Sequence, residues 1–270
     1  MDTLTLSRSK ITSFLNCQRQ FQLRYLEQIA WPSLPLSEQM ETAVARGTRF
    51  HQLIEQSLNQ LPIANRDPYL KRWWSRFENF ASTLPKGAKL IETTMTIPFS
   101  LPITTQRTYL LNGRFDLLII GHDIGQPFAH LFDWKTGRPK SESELRRDWQ
   151  TRLYLAMLAE GGNALLPQGS QLHPHNILFT YWYVDEPNQP RTLQYSQSAH
   201  EENWRELQQV ALQIDALDAS QTWPLTDDLT QCRTCSYSII CHRHAETTVS
   251  QIDADDHEPL FRQELEPKRP

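Results

Sequence analysis

The stretch "LFDWKTG", residues 131–137, ends an apolar run with two opposite charges, Asp133 and Lys135. Side chains alternate along a β-strand, so these two residues share one face while Phe132 and Trp134 take the other. The apolar flanks predict a strand that enters a core. A carboxylate and an ammonium at the end of such a strand need a partner, which is either each other or a ligand.

The whole chain has the size and composition of a globular protein. Its 270 residues include 39% hydrophobic and 21% charged residues, enough to bury a sizeable core. No run approaches the roughly 18 apolar residues that span a membrane. The first ten residues, MDTLTLSRSK, lack the apolar centre of a signal peptide, so we expect a cytoplasmic protein.

Charge is distributed unevenly along the chain. The net charge of −4 argues against a general nucleic-acid coat protein. Residues 253–270 hold six acids and three bases, and we expect the tail, residues 251–270, to be disordered. Residues 135–152 hold six bases and three acids, directly after the quoted strand. This basic excess is either a solvated helix face or part of a binding surface.

Hydrophobic periodicity predicts a mixture of helices and strands. The predicted helices are 6–28, 40–61 (interrupted or restarted near Gly47), 67–83, 142–160 and 200–219. The predicted strands are 89–102, 108–122, 129–137 and 176–185. This order indicates an α/β fold in which a small mixed sheet is flanked by helices.

A second carboxylate, Asp116, lies in the strand before the quoted one, within "GRFD". Carboxylates on neighbouring strands can hold one or two divalent cations, because Mg²⁺ takes oxygen ligands. The cation lowers the pKa of a bound water and stabilises charge on a phosphoryl oxygen. A lysine beside it can orient that water. The pattern is typical of a phosphodiesterase, although a surface ion pair between Asp133 and Lys135 is the alternative.

The four cysteines form a second possible metal site. In a cytoplasmic protein we do not expect disulfides. Four thiolates are a complete ligand set for zinc or for a cubane iron–sulfur cluster, and free thiols are the third possibility. The cysteines are Cys17, Cys232, Cys235 and Cys241.

Taken together, the motifs resemble the RecB-like branch of the PD-(D/E)XK nuclease superfamily. That branch carries G-x-x-D, D-x-K and Q-x-x-x-Y in this order. The resemblance covers roughly residues 6–245 and implies a restriction-endonuclease-like core. The matching positions are Gly113 with Asp116, Asp133 with Lys135, and Gln150 with Tyr154; the resemblance implies that Asp116, Asp133, Lys135, Gln150 and Tyr154 are catalytic.

The same resemblance implies a set of ligands for Mg²⁺ or Mn²⁺. The family has a histidine on an upstream helix, and "GTRFHQLIEQ" supplies His51. Family precedent makes His51, Asp116 and Asp133 the ligands, and an imidazole suits Mn²⁺ better than Mg²⁺. Glu92, in the first predicted strand, is a further candidate ligand, with a solvent-facing glutamate as the alternative reading.

The cysteine spacing is similar to the iron staple of AddB-type and CRISPR-associated RecB-like nucleases. Three cysteines follow C-x2-C-x5-C and the fourth is remote, whereas zinc ribbons usually have two C-x2-C pairs. The resemblance implies a structural 4Fe–4S cluster that joins Cys17 to residues 232–241, with zinc as the alternative. Gln18 stands where the family usually has proline.

The resemblance also implies the organisation and the function. We expect one nuclease domain over residues 1–250, with a helical cover at 41–83 and a catalytic core at 88–185. We expect an exonuclease that acts on single-stranded DNA in repair, recombination or defence. A non-catalytic DNA-binding or assembly module on the same fold is the alternative. The sequence contains no P-loop motif, so we expect a helicase or another repair or defence protein as a partner.

Overall fold

A mixed sheet lies at the centre of the fold in the computed structural model, which describes residues 2–30, 37–63, 67–105, 107–123 and 125–243. The predicted tail, 251–270, lies outside these residues. The described part of the chain contributes six strands to the sheet. They are β1 (Thr3–Leu6), β2 (Ala88–Phe99), β3 (Thr108–Asp123), β4 (Gln126–Lys135), β5 (Ile177–Tyr183) and β6 (Arg191–Gln194).

The long strand β3 organises the sheet. It pairs antiparallel with the whole of β2 except at Glu92, which faces Asp116 without a ladder pair. On its other edge, residues 108–111 pair with the parallel strand β1, and residues 117–123 pair with the antiparallel strand β4. Strand β5 then lies parallel to β4, and β6 antiparallel to β5. The strands β1 and β4 therefore run toward each other along one edge of β3, and their pairing with β3 ends on either side of residues 112–116, while β4 itself continues to Lys135 beside β5.

Most of the helices begin at a side chain that accepts a backbone N–H, as helix N-termini require. Ser7, Ser37, Asp67, Ser141, Asp148, Ser196 and Asp228 fill this role. The helices are α1 (Arg8–Asn16), α2 (Gln18–Phe21), α3 (Glu38–Leu58), α4 (Pro68–Ala81), α5 (Glu142–Arg147), α6 (Trp149–Gly161), α7 (Gln197–Asp215) and α8 (Leu229–Arg233), with a π-helical turn at Gln22–Leu26 and 3₁₀ turns at Gly162–Leu165 and Pro174–Asn176.

Two apolar layers cover the two faces of the sheet. One contains side chains from α1, α6 and α7 together with Leu131 of β4. The other contains side chains from α3 and α4 together with Phe132 and Trp134 of β4. Neighbouring residues of β4 thus face opposite layers, as the alternation in "LFDWKTG" predicts. The predicted fold class, a mixed sheet flanked by helices, is confirmed.

The structure corrects three predicted helices. The helix predicted at 40–61 runs without interruption through Gly47. A Cβ at that position would lie 2.9 Å from Thr136 Oγ1. The glycine therefore permits close approach of α3 to the turn after β4 and does not break the helix. The helix at 6–28 is divided at Cys17, whose backbone is extended (φ −162°, ψ 112°). The helix at 142–160 is divided at Asp148, which caps α6.

None of the helices in the described ranges is both long enough and apolar enough to cross a membrane.

Candidate active site

Strand β4 delivers Asp133 and Lys135 to the N-terminal turn of α6. Asp133 Oδ2 lies 2.8 Å from Lys135 Nζ. Gln150 joins the two, because its Nε2 donates to Asp133 Oδ1 at 2.5 Å and its Oε1 accepts from Lys135 Nζ at 3.2 Å. Three residues predicted from two separate motifs therefore meet in one hydrogen-bonded group.

A second group forms where α3 crosses the sheet. His51 Nδ1 lies 3.5 Å from Asp116 Oδ2, which also accepts from the backbone N–H of Trp134 at 2.9 Å. Glu92 stands opposite Asp116 in the β2–β3 register. One ligand atom from each of His51, Glu92 and Asp116 lies within 4.8 Å of the other two. An imidazole and two carboxylates at this spacing can hold one divalent cation.

The backbone is irregular at the Glu92–Asp116 pair. Glu92 has φ +48°, a left-handed conformation that is rare for a non-glycine residue in a strand. The face of the sheet also changes there: Phe115 packs in the layer of α6, whereas Leu117 packs in the layer of α3. Strained backbone of this kind is often found at functional sites. The change of face brings Asp116 within reach of His51 on α3.

The acid side chains of the site repel one another in a buried setting. Burial raises the pKa of Asp133 to about 6, against the attraction of Lys135 and with the help of Asp116. Burial and the neighbouring Asp116 raise the pKa of Glu92 to about 7. Burial alone would lower the pKa of His51, but the surrounding carboxylates, Asp116 above all, outweigh it and raise that pKa to about 9. The site therefore concentrates negative charge.

The residues fit a divalent cation. Asp133 Oδ2 is buried, and the Lys135 ammonium lies 2.8 Å from it. An imidazole and several carboxylates from neighbouring elements are a donor set that Mn²⁺ or Mg²⁺ can use. Asp133 does not belong to the tight group of His51, Glu92 and Asp116. It lies beside that group, close enough to influence the pKa of His51.

Tyr154 lies in the core and packs against Gly113. Its ring meets Phe115 edge-on at 4.9 Å and stacks on Phe179 at 6.2 Å. A Cβ on Gly113 would lie 2.8 Å from Tyr154 Cε1. The glycine of G-x-x-D and the tyrosine of Q-x-x-x-Y are therefore complementary in shape, which ties α6 to β3 behind the carboxylates.

Sequence analysis missed Arg8 and the role of Asp148. Asp148 Oδ1 accepts the backbone N–H of Gln150 at 2.9 Å and so fixes the first turn of α6. The same carboxylate lies 3.6 Å from Arg8 Nε and 3.2 Å from Lys140 Nζ. An aspartate two residues before Gln150 is a helix-cap signal that could have been recognised. Arg8 gave no signal, because it reaches the site from the opposite end of the chain.

The cysteines lie where the N-terminal helices meet the C-terminal segment. Gln20 Nε2 contacts Cys235 Sγ at 3.5 Å, and Phe21 stacks on Trp223 at 5.9 Å. Burial raises the pKa of Cys235, and the other three thiols add to that rise. Among the described residues, no three of the four sulfurs lie within 4.8 Å of one another. The structure brings the cysteines to one region without gathering them into a tight site.

Comparison with known proteins identifies the class. The sequence profile of the PD-(D/E)XK nuclease superfamily matches residues 5–242, and this chain belongs to that superfamily. Its members are nucleases that use divalent metals.

Two solved structures are similar to this chain at low identity. A "putative exonuclease" from Eubacterium rectale is 13% identical, with a TM-score of 0.51 over 95% of this chain and 94% of that one. The crystal structure of SSO0001 is 12% identical, with a TM-score of 0.40 over 89% of this chain and 87% of that one. No curated protein sequence matches the chain.

Proposed function

We propose that this protein is an exonuclease that hydrolyses single-stranded DNA with Mg²⁺ or Mn²⁺. The observation that carries the proposal is the pair of adjoining groups, His51–Glu92–Asp116 and Asp133–Lys135–Gln150, at one point of the sheet. Superfamily membership supports a nuclease. The exonuclease action and the single-stranded substrate go beyond that membership.

Each group has a chemical task in this proposal. His51, Glu92 and Asp116 would hold the cation, with Asp133 beside them, and the bound cation supplies an acidic water and neutralises charge on the phosphate. Lys135 donates hydrogen bonds to the attacking water or to a phosphate oxygen. Gln150 holds the Lys135 and Asp133 side chains in position by a hydrogen bond to each, and Asp148 accepts the backbone N–H of Gln150. Tyr154 positions α6 through its contact with Gly113.

The preference for a single strand rests on the position of α3. This helix approaches the turn after β4 at Gly47 and reaches Asp116 with His51, so it lies across the site. A helix in this position favours a narrow passage that admits one strand from a free end. The same expectation comes from related nucleases with an iron staple, which is an analogy at the level of the fold.

Closed and linear DNA distinguish the alternatives. Linear single strands should be degraded with Mn²⁺ or Mg²⁺, whereas covalently closed single-stranded circles should resist. EDTA and the variant Asp133→Ala should each abolish cleavage. Equal degradation of circles and linear strands would make the protein an endonuclease. Binding without any cleavage by the wild type would favour the non-catalytic module.

We also propose that the four cysteines hold a 4Fe–4S cluster, as in the RecB-like nucleases with an iron staple. The support for this proposal is the spacing of the cysteines in the sequence and the influence of the other three thiols on the pKa of Cys235. Zinc is the alternative. Anaerobically purified protein should be brown and contain iron and sulfide, and Cys17→Ala should remove both. Colourless protein with one zinc per chain would replace the cluster by zinc. A helicase partner and a role in repair, recombination or defence stay predictions.

A further inference from the structure

A small cavity lies beside Lys135. Its volume is about 10 Å³, which is room for about one water-sized atom. It lies between the start of α1, the first turn of α6 and strand β5. The polar side chains that line it include Arg8, Lys135, Lys140, Asp148, Gln150 and Tyr181.

The lining of the cavity is predominantly positive. It contains three cationic side chains, from Arg8, Lys135 and Lys140, and one carboxylate, from Asp148. That carboxylate is shared by Lys140 at 3.2 Å, Arg8 at 3.6 Å and the N–H of Gln150 at 2.9 Å. A cationic lining with room for a single oxygen suits a phosphate oxygen that enters from outside.

The topology of the sheet places this cavity next to the site of cleavage. Strand β1 runs beside β3 as far as the Leu6–Leu111 pair, and Ser7 then caps α1. Arg8 therefore reaches the point where β4 ends. Lys135 belongs to both places, because its Nζ lies 2.8 Å from Asp133 Oδ2 and its side chain also lines the cavity. The Lys135 Nζ also lies over the ring of Tyr181, 5.8 Å from its centroid, in a cation–π contact.

We propose that Arg8 and Lys140 bind a nonbridging oxygen of the DNA phosphate adjacent to the scissile one. The proposal rests on the function proposed above, since the scissile phosphate is the one at Lys135. It gives the N-terminal strand a task in substrate binding. Among the basic residues in excess over residues 135–152, the proposal assigns a substrate contact to Lys140.

Binding without metal tests the subsite separately from cleavage. In EDTA, fluorescence anisotropy with a labelled single-stranded oligothymidylate should show roughly tenfold weaker binding for Lys140→Ala and for Arg8→Ala. The dependence of log affinity on log salt should lose about 0.7 in slope for each variant. Lys140→Arg, which keeps the charge, should bind nearly as the wild type does. Arg205→Ala, an exposed site on α7, is the matched control and should change nothing. Wild-type affinity and slope in Lys140→Ala would overturn the proposal.

Neutral phosphates locate the contact along the strand. Oligonucleotides with one methylphosphonate linkage, placed at each position in turn, should raise the wild-type KM when the neutral linkage adjoins the cleaved bond. The double variant Arg8→Ala with Lys140→Ala should show nearly the same KM on that substrate as on ordinary DNA, because both contacts are already lost. Additive losses would overturn the subsite. A wild type that never cleaves, but whose binding depends on Lys140, would instead overturn the nuclease proposal and retain the subsite.

Discussion

Replacement of the buried Asp133 by asparagine should abolish cleavage and yet stabilise the metal-free protein. Burial raises the pKa of Asp133 from its ordinary value of 3.8 to about 6. For a carboxyl group with a raised pKa, the favourable contribution to folding is complete below pH 3.8 and is lost as the pH rises through 6. About two units of pKa correspond to roughly 3 kcal/mol. The neutral Asp133→Asn variant escapes this cost but leaves Lys135 without its carboxylate, so we expect a gain of about 1–3 kcal/mol at pH 8.

Urea unfolding in EDTA, followed by circular dichroism at pH 8 and pH 4, measures this gain. The advantage of Asp133→Asn should be present at pH 8 and should disappear near pH 4, where the wild-type carboxyl is protonated. Added Mn²⁺ should stabilise the wild type more than the variant, because only the folded wild type offers the full ligand set. Asp123→Asn, at the exposed end of β3, is the matched control and should show no difference at either pH. An Asp133→Asn variant less stable than the wild type at pH 8, or a gain independent of pH, would refute the reasoning.

Three further predictions follow from contacts around the site. His51→Ala should weaken Mn²⁺ affinity by about 10–100-fold, and excess Mn²⁺ should restore part of the cleavage; titration by calorimetry measures the affinity. Gly113→Ala should lower the free energy of unfolding in urea by about 1–3 kcal/mol, because its Cβ would lie 2.8 Å from Tyr154. The double variant Gly113→Ala with Tyr154→Leu should recover part of this loss of stability. Additive losses from the two single variants would contradict the contact. Burial lowers the pKa of His130 to about 4, so the contribution of the neutral imidazole to folding stability is complete above pH 6.5 and is lost as the pH falls through 4. His130→Gln should therefore remove up to about 3 kcal/mol of the loss of stability in acid. An unchanged dependence of stability on pH would exclude His130 as the source of that loss.

The main features of the site could be predicted from local patterns in the sequence. Alternation in "LFDWKTG" correctly set Asp133 and Lys135 against Phe132 and Trp134. The order of the motifs placed Gln150 on the helix after β4, and in the structure Gln150 donates a hydrogen bond to Asp133. These features depend on residues close in sequence, or on the regular geometry of a strand and the helix that follows it.

Other features depend on contacts that no local pattern encodes. The strands β1 and β6 have four residues each, too short for a period of two to be recognised. Gly47 was interpreted as a helix breaker, whereas glycine is needed there because Thr136, distant in sequence, packs closely against it. The positive φ of Glu92 and the change of face at Asp116 lie where the pairing of β2 with β3 is interrupted. Arg8 reaches the site only because β1 pairs with β3.

Because β1 and β4 approach each other along one edge of β3, the length of β1 determines where α1 and Arg8 lie relative to the site. The two strands share one edge of β3 and leave residues 112–116 between them. Each residue added to the end of β1 would advance Ser7 and Arg8 by about 3.3 Å along that edge. Two added residues would move the start of α1 by more than the width of a strand, into the space that Asp116 and Lys135 face. Sequence changes between Leu6 and Arg8 should therefore be restricted to substitutions, with insertions excluded by the geometry of the sheet.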